Sequence, residues 1–123
     1  MVNLSISEVV PSQNTTDREH WTTTRKRNKR YRDQLAIALL FGYKQKERKI
    51  ITSSPKGMLV TIHSQRKRRI LDDANLRGGC KGLVDSLVRL GFIYDDDDKY
   101  VKIEYTQATG KPYYTSIKIE DKG

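Results

Sequence analysis

The chain has 123 residues, 36% of them hydrophobic and 32% charged, with a formal net charge of +9. That length suits one compact domain over 1–123 with a thin core, and no apolar run approaches the roughly 20 residues of a membrane span. The single cysteine, Cys80, excludes an intramolecular disulfide, and the surplus of Lys and Arg points to a polyanionic partner, because each cation that meets a phosphate releases a condensed counterion.

The first element in chain order is a strand over Asn3–Val10, ended by Pro11. Residues Pro11 to Trp21 are polar and read as a loop. A helix is expected from Thr23 to Tyr43, because Tyr31, Leu35, Ala38, Leu39 and Gly42 share one face. Its first half carries Arg25, Lys26, Arg27, Lys29, Arg30 and Arg32. Cations at a helix start oppose the dipole, so a binding role accounts for them better than helix stability does. Residues 44 to 57 form a polar connection. Met58 to His63 then reads as a strand, followed by the basic run Arg66-Lys67-Arg68-Arg69.

A second helix is expected from Gly79 to Leu90, with Cys80, Leu83, Val84 and Leu87 as its apolar stripe and Gly91 as its C-terminal cap. Val101 to Thr106 and Tyr113 to Glu120 alternate, and the turn-rich Ala108–Pro112 between them predicts a terminal hairpin. The order β-α-β-α-β-β gives an α+β class, with helices packed on a small mixed sheet.

Two acidic groups stand out in this basic chain. Asp72-Asp73 precedes the second helix, and Asp95-Asp96-Asp97-Asp98 follows it. Acids repel the phosphates that the other residues attract, and a metal between them resolves the conflict. Hard cations such as Mg²⁺ take one or two carboxylates plus substrate phosphate. The alternative is structural, with Asp72 as a helix cap and the four aspartates as a solvated turn. Lys81, Asp85 and Arg89 are spaced as an exposed charge ladder, or Lys81 stabilises phosphate charge in a transition state. His20 and His63 lack companions at zinc spacing and read as non-ligands. Cys80 lies on an apolar stripe and reads as core. Gly78-Gly79 reads as a close backbone approach.

The stretch Leu71-Asp72-Asp73-Ala74-Asn75-Leu76-Arg77-Gly78-Gly79-Cys80-Lys81, then Asp85-Ser86-Leu87, Gly91-Phe92 and Asp95-Asp96, resembles the RusA-type Holliday junction resolvases of bacteria and their phages. Pro11-Ser12-Gln13-Asn14, followed by His20-Trp21 and a basic helix, resembles the opening segment of that family. The resemblance covers about residues 11 to 107. It implies a homodimer that binds four-way DNA junctions in recombination and repair, and nicks them in pairs with Mg²⁺ or Mn²⁺. Asp72 matches the first motif acid, Asp96 the third, with Asp95 preceding it, and Lys81 the helix lysine. Ala74 stands where the family usually has its second acid. Either Asp73 takes that role or the chain is a weak or inactive nuclease.

The expected site is therefore Asp72, Asp73, Lys81, Asp95 and Asp96, with Asp72, Asp73 and Asp96 as metal ligands. DNA contacts are expected from Asn14, Arg25, Lys26, Arg27, Lys29, Arg30, Arg66, Lys67, Arg68 and Arg69. A two-fold dimer matches a two-fold junction and supplements a thin core. Each site is built either within one subunit or with its second acid cluster taken from the other. The runner-up is a non-catalytic DNA-binding protein on the same scaffold. A third reading, an RNA-binding module of unrelated fold, is disfavoured because the aromatics are mostly tyrosines on strands. Single-cysteine usage and the lack of a basic n-region or apolar h-region give a cytoplasmic expectation, without membrane contact.

Overall fold

A computed structural model of the chain describes residues 2–41, 58–93 and 101–121. Strand β1 (Val2–Ile6) leads to helix α1 (Gln13–Arg18) and the long helix α2 (Trp21–Phe41). Strand β2 (Met58–Arg66) precedes helices α3 (Asp73–Gly79) and α4 (Lys81–Arg89). Strands β3 (Val101–Thr109) and β4 (Tyr114–Asp121) follow. The four strands make one mixed sheet in the order β1-β4-β2-β3, so the α+β expectation holds. Among the described residues no helix is long and apolar enough to cross a membrane.

Strand β2 organises the sheet because its period-two pattern is the cleanest. Met58, Val60, Ile62 and Ser64 are buried and the residues between them are only half-buried. Its neighbours present matching rows, with Val60 opposite Ile119 and Ile62 opposite Ile117. Leu4 of β1 extends the row beside Ile117. Helices supply the other side of the core through Tyr31 and Leu35 of α2, Cys80, and Leu83, Val84 and Leu87 of α4. These are the members of the two predicted helix stripes whose side chains are described; the side chains of Ala38 and Leu39, and Gly42, lie outside the description.

The terminal hairpin does not form. β3 runs parallel to β2 on one side, and β4 runs antiparallel to it on the other. Residues Gly110 to Tyr113 therefore cross the end of β2 rather than close a two-stranded turn. Two strand spacings are roughly 9.5 Å, within reach of four extended residues at about 3.3 Å each. The crossing is tied down where Gly110 N–H donates to the Arg66 carbonyl at 3.1 Å and Gln65 Nε2 donates to the carbonyls of Thr109 and Gly110. Alternation fixes which face a side chain takes, and it carries no information about which strand lies alongside.

Two helices differ from expectation. The segment expected as a loop holds α1, started by Ser12, whose Oγ accepts the Thr15 N–H at 3.2 Å. No residue of α1 is buried, so it lacks the apolar stripe by which helices are recognised. The second predicted helix is two helices hinged at Cys80, with the chain already helical from Asp73. Gly91 does end α4, at φ 82°. The amide of Phe92 reaches back to the Leu87 carbonyl and that of Gly91 to the Val88 carbonyl, the paired closure that a left-handed glycine allows. β1 ends at Ile6 rather than Val10, β2 continues through Arg66, and α2 begins at Trp21. The predicted connection over 44–57 lies outside the described residues.

Candidate functional site

Asp72 sits at the start of α3 and is exposed. Its Oδ1 accepts the Ala74 N–H at 3.0 Å, the capping role expected of an aspartate before a helix. The turn that delivers it is held by β3. Gln107 donates through Nε2 to the Ile70 carbonyl at 2.7 Å and accepts the Ile70 N–H on Oε1 at 2.8 Å. Asp73, also exposed, pairs with Arg77 one turn along at 3.2 Å. The Arg77 guanidinium in turn lies 5.8 Å from the centre of the Tyr105 ring.

The Pro11–Asn14 segment packs on this same helix. The Asn14 N–H donates to Asn75 Oδ1 at 2.7 Å. A side chain at Gly79 would run into the Pro11 carbonyl, and one at Gly78 into Gln13. The glycine pair thus lets α1 approach the α3 backbone, as its composition suggested. Asn14 therefore meets the acidic segment through its backbone.

Lys81 opens α4 and is exposed. Among the described residues it makes no ion pair, and none joins it to Asp85 as the ladder reading required. It borders a cleft of about 260 Å³ between α1, α2 and the α3–α4 hinge, together with Asp17, Arg27, Asn28, Tyr31 and Asp85. Behind its surface, Arg27 Nη1 and Tyr31 Oη are fully buried without a hydrogen-bond partner among the described residues. Burial raises the Tyr31 phenol well above its ordinary value, so it stays a neutral donor.

The expected DNA-binding cations divide into two groups. Arg27 is largely buried and donates through Nη2 to both oxygens of Glu19, at 2.7 and 2.9 Å. Arg66 is half-buried, and its guanidinium donates to the carbonyls of Val10 and Arg68, both at 2.7 Å, and to Ser64 Oγ at 3.0 Å. Desolvation lowers its pKa. These two arginines hold the fold. Arg30 pairs with Glu8 at 2.6 Å and Lys29 with Asp33 at 2.7 Å. Arg25, Lys26, Lys67, Arg68 and Arg69 are exposed and make no ion pair among the described residues.

Asp95 and Asp96 lie outside the described residues. Among those described, no group of three His, Cys, Asp or Glu side chains is close enough to hold a metal. Both histidines are engaged. His20 Nδ1 accepts the Thr22 N–H at the start of α2, and His63 meets Thr106 across the β2–β3 pair and Gln65 along its own strand. Cys80 is fully buried, and burial pushes its thiol up to about 12, which removes it as a nucleophile. Sequence reasoning missed the cleft floor and the exposed Trp21. The available signal was the spacing of Trp21, Arg25, Asn28 and Arg32, which puts all four on one helix face. No family model matches this chain, and no curated protein matches it significantly.

Proposed function

We propose that the protein is a divalent-metal-dependent endonuclease that resolves four-way DNA junctions as a homodimer. The observation that carries this reading is the contact between Asn14 and Asn75. The two stretches on which the resemblance to RusA-type resolvases rests are far apart in sequence and form one surface, with Asp72 exposed beside it.

Asp72 and Asp73 fit a small hard cation, since Mg²⁺ takes one or two carboxylates and completes its shell with water and phosphate. Asp72 would hold it, with Asp73 and Asp96 as the further candidates, and when bound it supplies an activated water and charge stabilisation at the leaving oxygen. Lys81, with no carboxylate partner among the described residues, is free to meet phosphate charge. Arg25, Lys26, Lys67, Arg68 and Arg69 bind the backbone of the DNA. Ala74 is exposed, so an aspartate there would be accommodated without a clash.

A second reading has a specific observation in its favour. Asp72 caps α3 and Asp73 pairs with Arg77, so each acid already has a structural use. On that reading the chain binds DNA without cutting it. A synthetic four-way junction separates the two. Paired nicks that require Mg²⁺ or Mn²⁺ and vanish with chelator support the nuclease. Tight binding without nicks in either metal overturns it.

A further inference from the structure

We propose that the groove along the first turns of α2 holds an unpaired stretch of a DNA strand, with one base stacked on Trp21 and the next reaching the cleft beside Lys81. The inference rests on the reading of the protein as DNA-binding and specifies what part of a branched substrate it holds.

Trp21, Arg25, Asn28 and Arg32 follow one another at i, i+4, i+7 and i+11, a single face of α2. They line an open groove that shares Thr16, Thr24 and Asn28 with the inner cleft, so the two adjoin. Trp21 is 63% exposed, an unusual position for the largest apolar side chain, with the His20 ring 5.5 Å away. Arg25 and Arg32 make no ion pair among the described residues. Glu19 also borders the groove, and its carboxylate is neutralised by Arg27. An exposed aromatic in line with arginines that make no ion pair among the described residues is the combination that binds single strands, where bases stack and phosphates meet cations. The span from Trp21 to Arg32 is about 16 Å at 1.5 Å per residue, the length of four to five stacked nucleotides at roughly 3.4 Å each.

The inner cleft has different chemistry. Asp17 and Asp85 accept, Lys81 donates and Asn28 does both. Carboxylates in the wall repel a phosphate. A base edge, with amino donors and carbonyl or ring-nitrogen acceptors, answers both sets. A double helix keeps its Watson–Crick edges paired and presents only its groove edges, so an unpaired strand is needed to offer the Watson–Crick edge to the cleft.

Trp21 is the only tryptophan in the chain, so tryptophan emission, excited selectively over the tyrosines, reports on the groove alone. The full chain is titrated with a twelve-nucleotide single strand and with a blunt duplex of the same length, binding being followed independently by anisotropy of a labelled strand. Quenching at saturation by the single strand and not by the duplex is expected. Trp21→Ala should weaken single-strand binding by roughly five- to a hundredfold, the range found for a lost base–aromatic stack, while Trp21→Phe stays within a few-fold of the native chain. Replacing Arg25 and Arg32 with Ala should lower the salt slope by about 1.4, at roughly 0.7 per phosphate for a single strand. Binding without quenching, equal quenching by duplex, or unaltered affinity in Trp21→Ala would overturn the proposal. Junction nicking is scored on the same preparation. A chain that is quenched by single strands but never nicks keeps the groove and loses the nuclease, and a chain that nicks but is not quenched does the reverse.

Discussion

The backbone N–H of Asn14 and the side-chain oxygen of Asn75 are 2.7 Å apart across a sequence separation of 61 residues. This bond, with Gly78 and Gly79 beneath Pro11 and Gln13, sets where α1 lies relative to the Asp72 cap.

Breaking that contact should be felt in stability and in the site together. Asn75→Ala leaves the exposed Asn14 amide to water, a loss of about 0.5–1 kcal/mol. Gly79→Ala places a methyl group against the Pro11 carbonyl, which has no soft side chain to yield, and should cost about 1–3 kcal/mol. Urea melts check both, and DNA affinity should fall with stability in each. A Gly79→Ala chain as stable as the native one would show that α1 does not pack as described.

The basic run at the end of β2 should split by role. Arg66→Met removes three hydrogen bonds to Val10, Arg68 and Ser64 and should destabilise by about 2–3 kcal/mol. Replacing Lys67, Arg68 and Arg69 with Ala should leave stability within about 0.5 kcal/mol. The same triple change should lower the slope of log affinity against log salt by up to about 2.7, at roughly 0.9 per duplex phosphate. An unaltered slope would make these three residues ordinary solvated surface.

Stability should fall on the alkaline side for a definite reason. Cys80 is protonated in the folded protein up to about 12, against an ordinary value of 9.0. Above pH 9 the unfolded chain releases this proton while the folded chain keeps it, so stability drops as pH rises from 9 towards 12. Cys80→Val should flatten the decline between pH 8.5 and 10, below the range where Tyr31 adds its own similar effect. Urea midpoints at several pH values read it, and identical slopes in both proteins would mean the thiol is not buried.

Much of this architecture was legible because it rests on local patterns. The stripe Cys80, Leu83, Val84 and Leu87 is buried throughout, Asp72 caps its helix, and the glycine pair marks a close approach. Strand partnership was not legible, since β3 and β4 alternate in the same way whether they meet each other or flank β2. Helix α1 was invisible for want of an apolar face, although Ser12 after Pro11 was a cap signal. Arg27 and Arg66 were read as solvent-facing cations because charge alone does not show that Glu19 lies eight residues back, or the Val10 carbonyl 56 residues back, to hold them. The second acidic cluster, Asp95 and Asp96, falls outside the described residues.

Subunit sharing of the site is open to a mixing experiment. An Asp72→Asn chain and an Asp96→Asn chain, each inactive alone, should regain junction cleavage when mixed if each site draws on both subunits. No recovery, with dimers present by light scattering, means self-contained sites. A chain that stays monomeric at micromolar concentration and yet makes both nicks together contradicts the homodimer.

The central claim is that Asp72 has a chemical role beyond its capping one, and Asp72→Asn tests it most directly. Asparagine caps a helix as well as aspartate does, so the variant should melt within about 0.5 kcal/mol of the native protein. Junction binding should be unchanged or tighter, because a charge that repels phosphate is gone. With those two controls in hand, the measurement is Mg²⁺-dependent nicking of a four-way junction. Paired nicks are expected from the native chain and none from Asp72→Asn. Equal nicking by both, or none by the native chain in Mg²⁺ or Mn²⁺, would contradict the claim.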